Sequence, residues 1–175
     1  MSTSTCPSTP RRRPTLSRRD GNHISFHGLL LSQQAEGSGT TSLRHGNGRS
    51  TWTFESNRDG SYRIVNTATG QLLGVDSGST ASRAWGTKPG TATARVGDAS
   101  VGQQWFMVRN TTPTDGPATG TFRLVNRYSG LVLAMSNDTA GAVETTPARS
   151  WADGHSGTGT PRTPADQTLE LTPVG

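Results

Sequence analysis

The residues of this chain that could do chemistry are few and poorly spaced for it. His23 and His27 stand four apart, the interval that puts two zinc ligands on one helical face. The Ile24-Ser25-Phe26 between them reads as strand, however, and no third ligand follows at a recognised distance. No Gly-x-Ser-x-Gly nucleophile turn occurs, and Gly37-Ser38-Gly39-Thr40 has the glycines of a phosphate loop without its lysine. The 12 acidic residues scatter through loop-like segments with no spacing that pairs a general acid with a base. Neither catalysis nor a metal or other cofactor is expected. Asn110-Thr111-Thr112 and Asn137-Asp138-Thr139 fit the glycosylation sequon, a pattern that a Thr-rich chain readily produces by chance.

Charge narrows the partners. The chain carries +5 overall, but residues 1–20 hold +4 of it in Arg11, Arg12, Arg13, Arg18 and Arg19 against Asp20, which leaves the rest near neutrality. Such a basic, Pro/Ser/Thr-rich stretch has no apolar surface to bury and is expected to be a disordered tail. No aromatic is interleaved with its arginines to stack on bases, so nucleic acid is not the expected partner. Lys88 is the one lysine of the chain. Cys6 is the one cysteine and precludes an intrachain disulfide. The N-terminus lacks the apolar core of a secretory signal. The protein is therefore expected either to stay inside the cell or to be part of a larger exported protein.

The elements that must position any site are short. At 175 residues the chain suits one domain of ordinary size. Its hydrophobic fraction, 29%, is lean but able to fold once the glycines are added. The longest apolar run, Leu29-Leu30-Leu31, is far below the roughly 18 residues of a membrane helix. Gly, Ser, Thr and Pro interrupt every stretch that could carry helical periodicity, which excludes a coiled coil or a long-helix bundle.

Internal repetition carries the most information. Tyr62-Arg-Ile-Val-Asn66 returns as Phe122-Arg-Leu-Val-Asn126, and Gly70 as Gly130, at a constant offset of 60. Each copy reads as a strand, a turn at Asn-x-x-x-Gly, and a returning strand, Leu72-Leu73-Val75 or Val132-Leu133-Met135. Asn66 and Asn126 read as turn formers. A fainter copy comes first: His27-Gly28-Leu29-Leu30-Leu31-Ser32 aligns with Ser129 to Ala134, behind a polar leading segment at Asn22–Phe26. That segment lacks the opening aromatic, so an unpaired sheet edge is the structural risk. The copies close on Ser50-Thr51-Trp52, Gln103-Gln104-Trp105 and Gln167-Thr168-Leu169. The units run over about 20–54, 58–109 and 119–173. Three four-strand units, none able to bury its apolar face alone, predict a threefold all-β barrel of about twelve short strands over residues 21–175.

The aromatic-Arg-apolar-Val-Asn run, the Ser/Thr-Gly-x-x-Leu turn and the Gln-x-Trp ending together resemble the ricin-B-type β-trefoil lectin domain, a family that includes the family-13 carbohydrate-binding modules of glycoside hydrolases. The resemblance covers about residues 22–173. It implies a shallow sugar site in each repeat, with an Asp accepting hydrogen bonds from hydroxyls and an aromatic stacking on the pyranose. The Asp position is held here by Ser32, Gly74 and Ala134, a departure from the pattern. Asp76, Asn137 and Asp138 are the candidate substitutes, with Trp85 and Trp151 as stacking residues. Trp52, Gln103, Trp105, Gln167 and Leu169 are expected to form a structural core motif. The implied function is a monomeric, non-catalytic carbohydrate-binding module, with galactose-, xylose- or arabinose-type poly- or oligosaccharides as partners and no membrane. It would be the C-terminal part of a secreted glycoside hydrolase. The alternative is a degenerate trefoil serving as a structural or protein-interaction module.

Overall fold

The computed structural model describes residues 21–111, 118–136, 141–148 and 164–174. The expected tail and Cys6 lie outside them. Among the described residues twelve strands form, four in each repeat. The first repeat holds β1 (Asn22–Phe26), β2 (Leu29–Gln33), β3 (Thr40–Leu43) and β4 (Thr51–Ser56). The second holds β5 (Ser61–Asn66), β6 (Leu72–Gly74), β7 (Gly90–Ala92) and β8 (Trp105–Thr111). The third holds β9 (Ala118–Asn126), β10 (Val132–Met135), β11 (Val143–Thr146) and β12 (Glu170–Pro173). Every pairing is antiparallel.

The first and fourth strands of the repeats pair around a closed path. β1 joins β4, β4 joins β5, β5 joins β8, and β8 joins β9. Leu169 and Phe122 exchange two backbone hydrogen bonds of 2.9 Å, and β12 returns to β1 through the Ile24–Leu171 register. Closure removes the exposed edges that an open sheet would offer. The polar leading segment of the first repeat is a full strand, β1, paired with β2, β4 and β12. The opening aromatic is dispensable there because Ile24 and Phe26 both point inward.

The core repeats as the chain does. β1, β5 and β9 supply Ile24, Ile64 and Leu124; β2, β6 and β10 supply Leu31, Leu73 and Leu133; the repeat endings supply Trp52, Trp105 and Leu169. All nine are 0% exposed. Full burial of such side chains contributes about 1.5–3 kcal/mol each before entropy is charged against it. The two indoles also solve the same polar problem in the same way. Trp52 Nε1 donates to the Leu31 carbonyl at 2.8 Å, and Trp105 Nε1 to that of Leu73 at 2.9 Å. Leucine at 169 brings no polar atom, so its substitution for Trp strands no donor in the core.

Turn chemistry separates the first repeat from the other two. In the second and third, the N–H of Gly70 and Gly130 donates to the carbonyl of Asn66 and Asn126 at 2.8 Å. The Asn side chains accept from the turn N–H groups of Ala68 and Tyr128. Their amides donate onward to the carbonyls of Arg49 and Gly102. The buried asparagines are thus turn formers that also tie down the segment ahead of each Trp. The first repeat has Phe26 instead and connects its strands through His27 and Gly28 alone, both at positive φ (47° and 75°), the geometry of a tight hairpin.

The tips of the three outer hairpins interlock in a ring. Ser38, in the first repeat's tip, accepts from the Thr91 N–H of β7. Thr87, in the second, accepts from the Thr145 N–H of β11, and Gly141, in the third, accepts from the Ser42 N–H of β3. Ser42, Thr91 and Thr145 are each paired with a core leucine of the adjacent strand. One set of contacts, used three times, therefore fixes where each hairpin stands.

Candidate functional site

One cleft combines polar groups with access. About 230 Å³ in volume, it opens in the second repeat and is lined by Gly74, Asp76, Lys88, Thr91, Arg95 and Gln103 among others. The end of β6 and the 3₁₀ turn at Gly97–Gln103 are held unusually close. The Val75 N–H donates to the Gly102 carbonyl at 3.0 Å. A Cβ at Gly74 would lie 2.7 Å from that same oxygen and 3.0 Å from Gln103 Cα, both backbone atoms. Gly74 occupies the place of the family's Asp, and the backbone leaves no room there for a side chain.

The carboxylate arrives instead two residues later. Asp76 leaves the end of β6 and accepts from Arg95 Nη1 at 2.8 Å and from the Gly78 N–H at 3.1 Å. These bonds, the Arg95 one above all, hold its carboxyl below the ordinary 3.8 despite some desolvation. Both side chains remain open to solvent, Arg95 at 39% and Asp76 at 56%. Gln103 sets the position of the arginine. Buried under the cleft, its amide donates to the Thr93 carbonyl at 2.9 Å, and its carbonyl accepts from the Arg95 N–H at 2.8 Å. The third repeat repeats this device, with Gln167 Nε2 donating to Thr146 Oγ1 and the Pro147 carbonyl, both at 2.7 Å. The glutamines are thus structural, and Gln103 serves the site by holding the segment that delivers Arg95.

Trp85 is brought to the surface but not into the cleft lining. It is 76% exposed in the loop after the 3₁₀ turn at Thr80–Arg83, so it is not packed within its loop. Neighbouring residues anchor that loop to the third repeat: the Gly86 N–H donates to the Thr145 carbonyl, and the Arg83 guanidinium lies 4.4 Å over the Tyr128 ring. Asn137, Asp138 and Trp151 lie outside the described residues. The Ala134 beside them in sequence is buried, opposite Glu144 on β11.

The corresponding surface of the first repeat is occupied by the protein itself. Ser32 is fully buried, facing Thr41 in register. Asn47 Nδ2 donates to the Gln33 carbonyl at 2.9 Å, and Arg49 Nη1 to the carbonyls of Gln34 and Ala35 at 3.1 and 2.6 Å. Gln33 is shared between Gln71 and Thr69. Polar groups there are committed to backbone and neighbours.

Sequence reasoning missed Arg95 and Lys88. Both flank β7, between the Gly-x-x-Leu turn and the Gln-x-Trp ending, so the available signal was two cations bracketing the strand that faces the missing Asp. No group of three or more metal-binding side chains occurs among the described residues, and none of their helices is long and apolar enough to cross a membrane.

A threefold antiparallel barrel capped by three interlocked hairpins, with indoles buried at equivalent inner points, defines a β-trefoil. The family model described as "Ricin-type beta-trefoil lectin domain-like" matches residues 27–92 and 47–151, and the chain belongs to that family. Its fold is similar to that of the designed threefold-symmetric protein ThreeFoil, at 20% identity and a TM-score of 0.60, over 86% of this chain and 96% of that one. It is similar too to the Polyporus squamosus lectin, at 12% identity and 0.63, over 90% of this chain and 50% of the lectin. An exo-β-1,3-galactanase from Clostridium thermocellum matches at 17% identity and 0.64, over 91% of this chain and 31% of the enzyme. At these identities the likenesses concern the fold. No curated protein matches by sequence.

Proposed function

We propose that this protein is a non-catalytic carbohydrate-binding module whose described site is the second-repeat cleft. The observation that carries the reading is the ionised Asp76 carboxylate clamped beside the Arg95 guanidinium in an open cleft. Sugar hydroxyls both donate and accept, so a charged acceptor next to a charged donor can hold two adjacent hydroxyls in fixed directions. Exposed Trp85, three residues before Lys88 of the cleft, offers a flat face for a further ring of an oligosaccharide. Asn137, Asp138 and Trp151 remain in the proposal as a third-repeat site on sequence grounds. The family, the Polyporus squamosus lectin solved with Neu5Acα2-6Galβ1-4GlcNAc, and the trefoil-like portion of a galactanase support it. In this reading the module is an accessory of an exported glycoside hydrolase and works outside the cell.

Titration with galactosides, xylans and arabinans, followed by tryptophan fluorescence and calorimetry, tests the reading. Saturable binding that Asp76→Ala weakens is the expected result; silence across all three sets overturns it. The burial of Ser32 and Ala134, both without a carboxylate, favours a second reading, a structural or protein-interaction module. Trp85→Ala and Trp151→Ala separate the two, because retention on a sugar column falls only under the first.

A further inference from the structure

The cleft holds more positive charge than a neutral sugar requires. Of its lining residues, Asp76 and Arg95 compensate each other at 2.8 Å. Lys88 lines the same cleft, is exposed, and has no hydrogen-bond or ion-pair partner among the described residues. It is the chain's one lysine. It enters on the segment leading into β7, whose position is fixed from both sides: Thr40 Oγ1 donates to the carbonyl of the next residue, Pro89, at 2.7 Å, and Thr87 is paired with Thr145. Its backbone is therefore anchored, so the ammonium reaches the cleft from a fixed point on the chain.

We infer, resting on the carbohydrate-binding reading above, that this cleft selects a sugar bearing an anionic substituent, with Lys88 meeting the anion while Asp76 and Arg95 hold neighbouring hydroxyls. A carboxylate or a sulfate on the ring would satisfy the surplus cation equally in charge. A uronate places its charge in the plane of a short planar group, whereas a sulfate ester projects it on a longer tetrahedral one. The Asp76 carboxylate in the same cleft supplies the counter-selection: an anion can approach only from the Lys88 side, which fixes the orientation of the ring.

The test compares matched oligosaccharides with the intact protein: oligogalacturonate, a sulfated galactan fragment and the neutral galactan of equal length, at low and at physiological salt. The anionic ligands are expected to bind about fivefold more tightly than the neutral one at low salt, as an accessible ion pair allows, and the gap is expected to narrow as salt rises. Lys88→Gln is expected to reduce that ratio to near one, and Lys88→Arg to keep it. Lys88 is exposed, so both variants should fold, which thermal unfolding verifies. A second readout uses the uniqueness of the lysine: oligogalacturonate should protect Lys88 from amine acylation, with the chain's amino terminus as the internal control. A preference for uronate over sulfate, or the reverse, identifies the source of the anion. Binding of the neutral ligand as tightly as the anionic ones, or a ratio untouched by Lys88→Gln, overturns the inference and leaves the carbohydrate reading standing. Failure of all three ligands and of the neutral polysaccharide panel overturns both.

Discussion

The first and second repeats share a scaffold and differ in what they do with its outer surface. Both bury a tryptophan whose indole donates to the second strand's carbonyl at 2.8–2.9 Å, and both send a hairpin tip into the next repeat. In the first, Ser32 is sealed and Asn47 and Arg49 are bonded to backbone. In the second, Gly74 lets two backbones stand close together, and charged groups from further along the chain reach the rim of an open cleft. The scaffold is thus indifferent to the site. Inner positions answer to packing, which all repeats must satisfy together, whereas an outer cleft can be filled or opened in one repeat without disturbing the others.

The inner equivalence is the place where the largest effects are expected. Trp52→Ala and Trp105→Ala should each cost about 3–5 kcal/mol in denaturant unfolding, from the cavity and the lost indole bond together. The two should agree to within about 1 kcal/mol. A much smaller cost at either would show that the repeats do not share the core equally. Placing a carboxylate where the family has one should fail: Gly74→Asp forces its Cβ against the Gly102 carbonyl and is expected to lower stability by about 1–3 kcal/mol without raising sugar affinity.

The outer difference is sharpened by binding. Asp76→Ala should weaken the sugar about tenfold or more in calorimetry, while Arg49→Ala in the first repeat should leave affinity within twofold. Equal losses would mean that both repeats bind. The smallest expected effect concerns the ion pair between repeats. Ser61's hydroxyl and N–H, with Arg127, pull the Asp59 carboxyl down to about 2 from its ordinary 3.8. A carboxylate whose folded value is depressed contributes fully above the unfolded value and loses that contribution as pH falls through the folded one. Thermal unfolding between pH 4 and pH 2 should therefore fall less steeply in Asp59→Asn than in the parent. An identical slope would remove Asp59 from the acid response.

Much of the inner architecture was legible in the chain. The offset of 60 between Tyr62-Arg-Ile-Val-Asn66 and Phe122-Arg-Leu-Val-Asn126 registers strands, turns and core leucines at once. The endings Ser50-x-Trp52, Gln103-x-Trp105 and Gln167-x-Leu169 located the buried tryptophans and the glutamines that hold the segments before them. Even the weak first copy could be placed, although its polar start concealed a full strand. Asp76 was legible as well, as the nearest carboxylate to the vacant position. Arg95 and Lys88 were not, because a cation in a loop has no periodicity and no partner that spacing reveals.

The sequence alone determined how many units there are, which side chains face inward and where each turn falls, because periodicity and turn chemistry act over a few residues. The tertiary structure decided which outer surface is open. That outcome depends on backbones 28 residues apart, at Gly74 and Gly102, meeting within van der Waals reach. It depends also on Asp76 and Arg95, 19 residues apart, converging on one point, and on Trp85 standing outside the cleft its position implied. Distances of that kind are set by how the three hairpins lock together, and no local pattern encodes them.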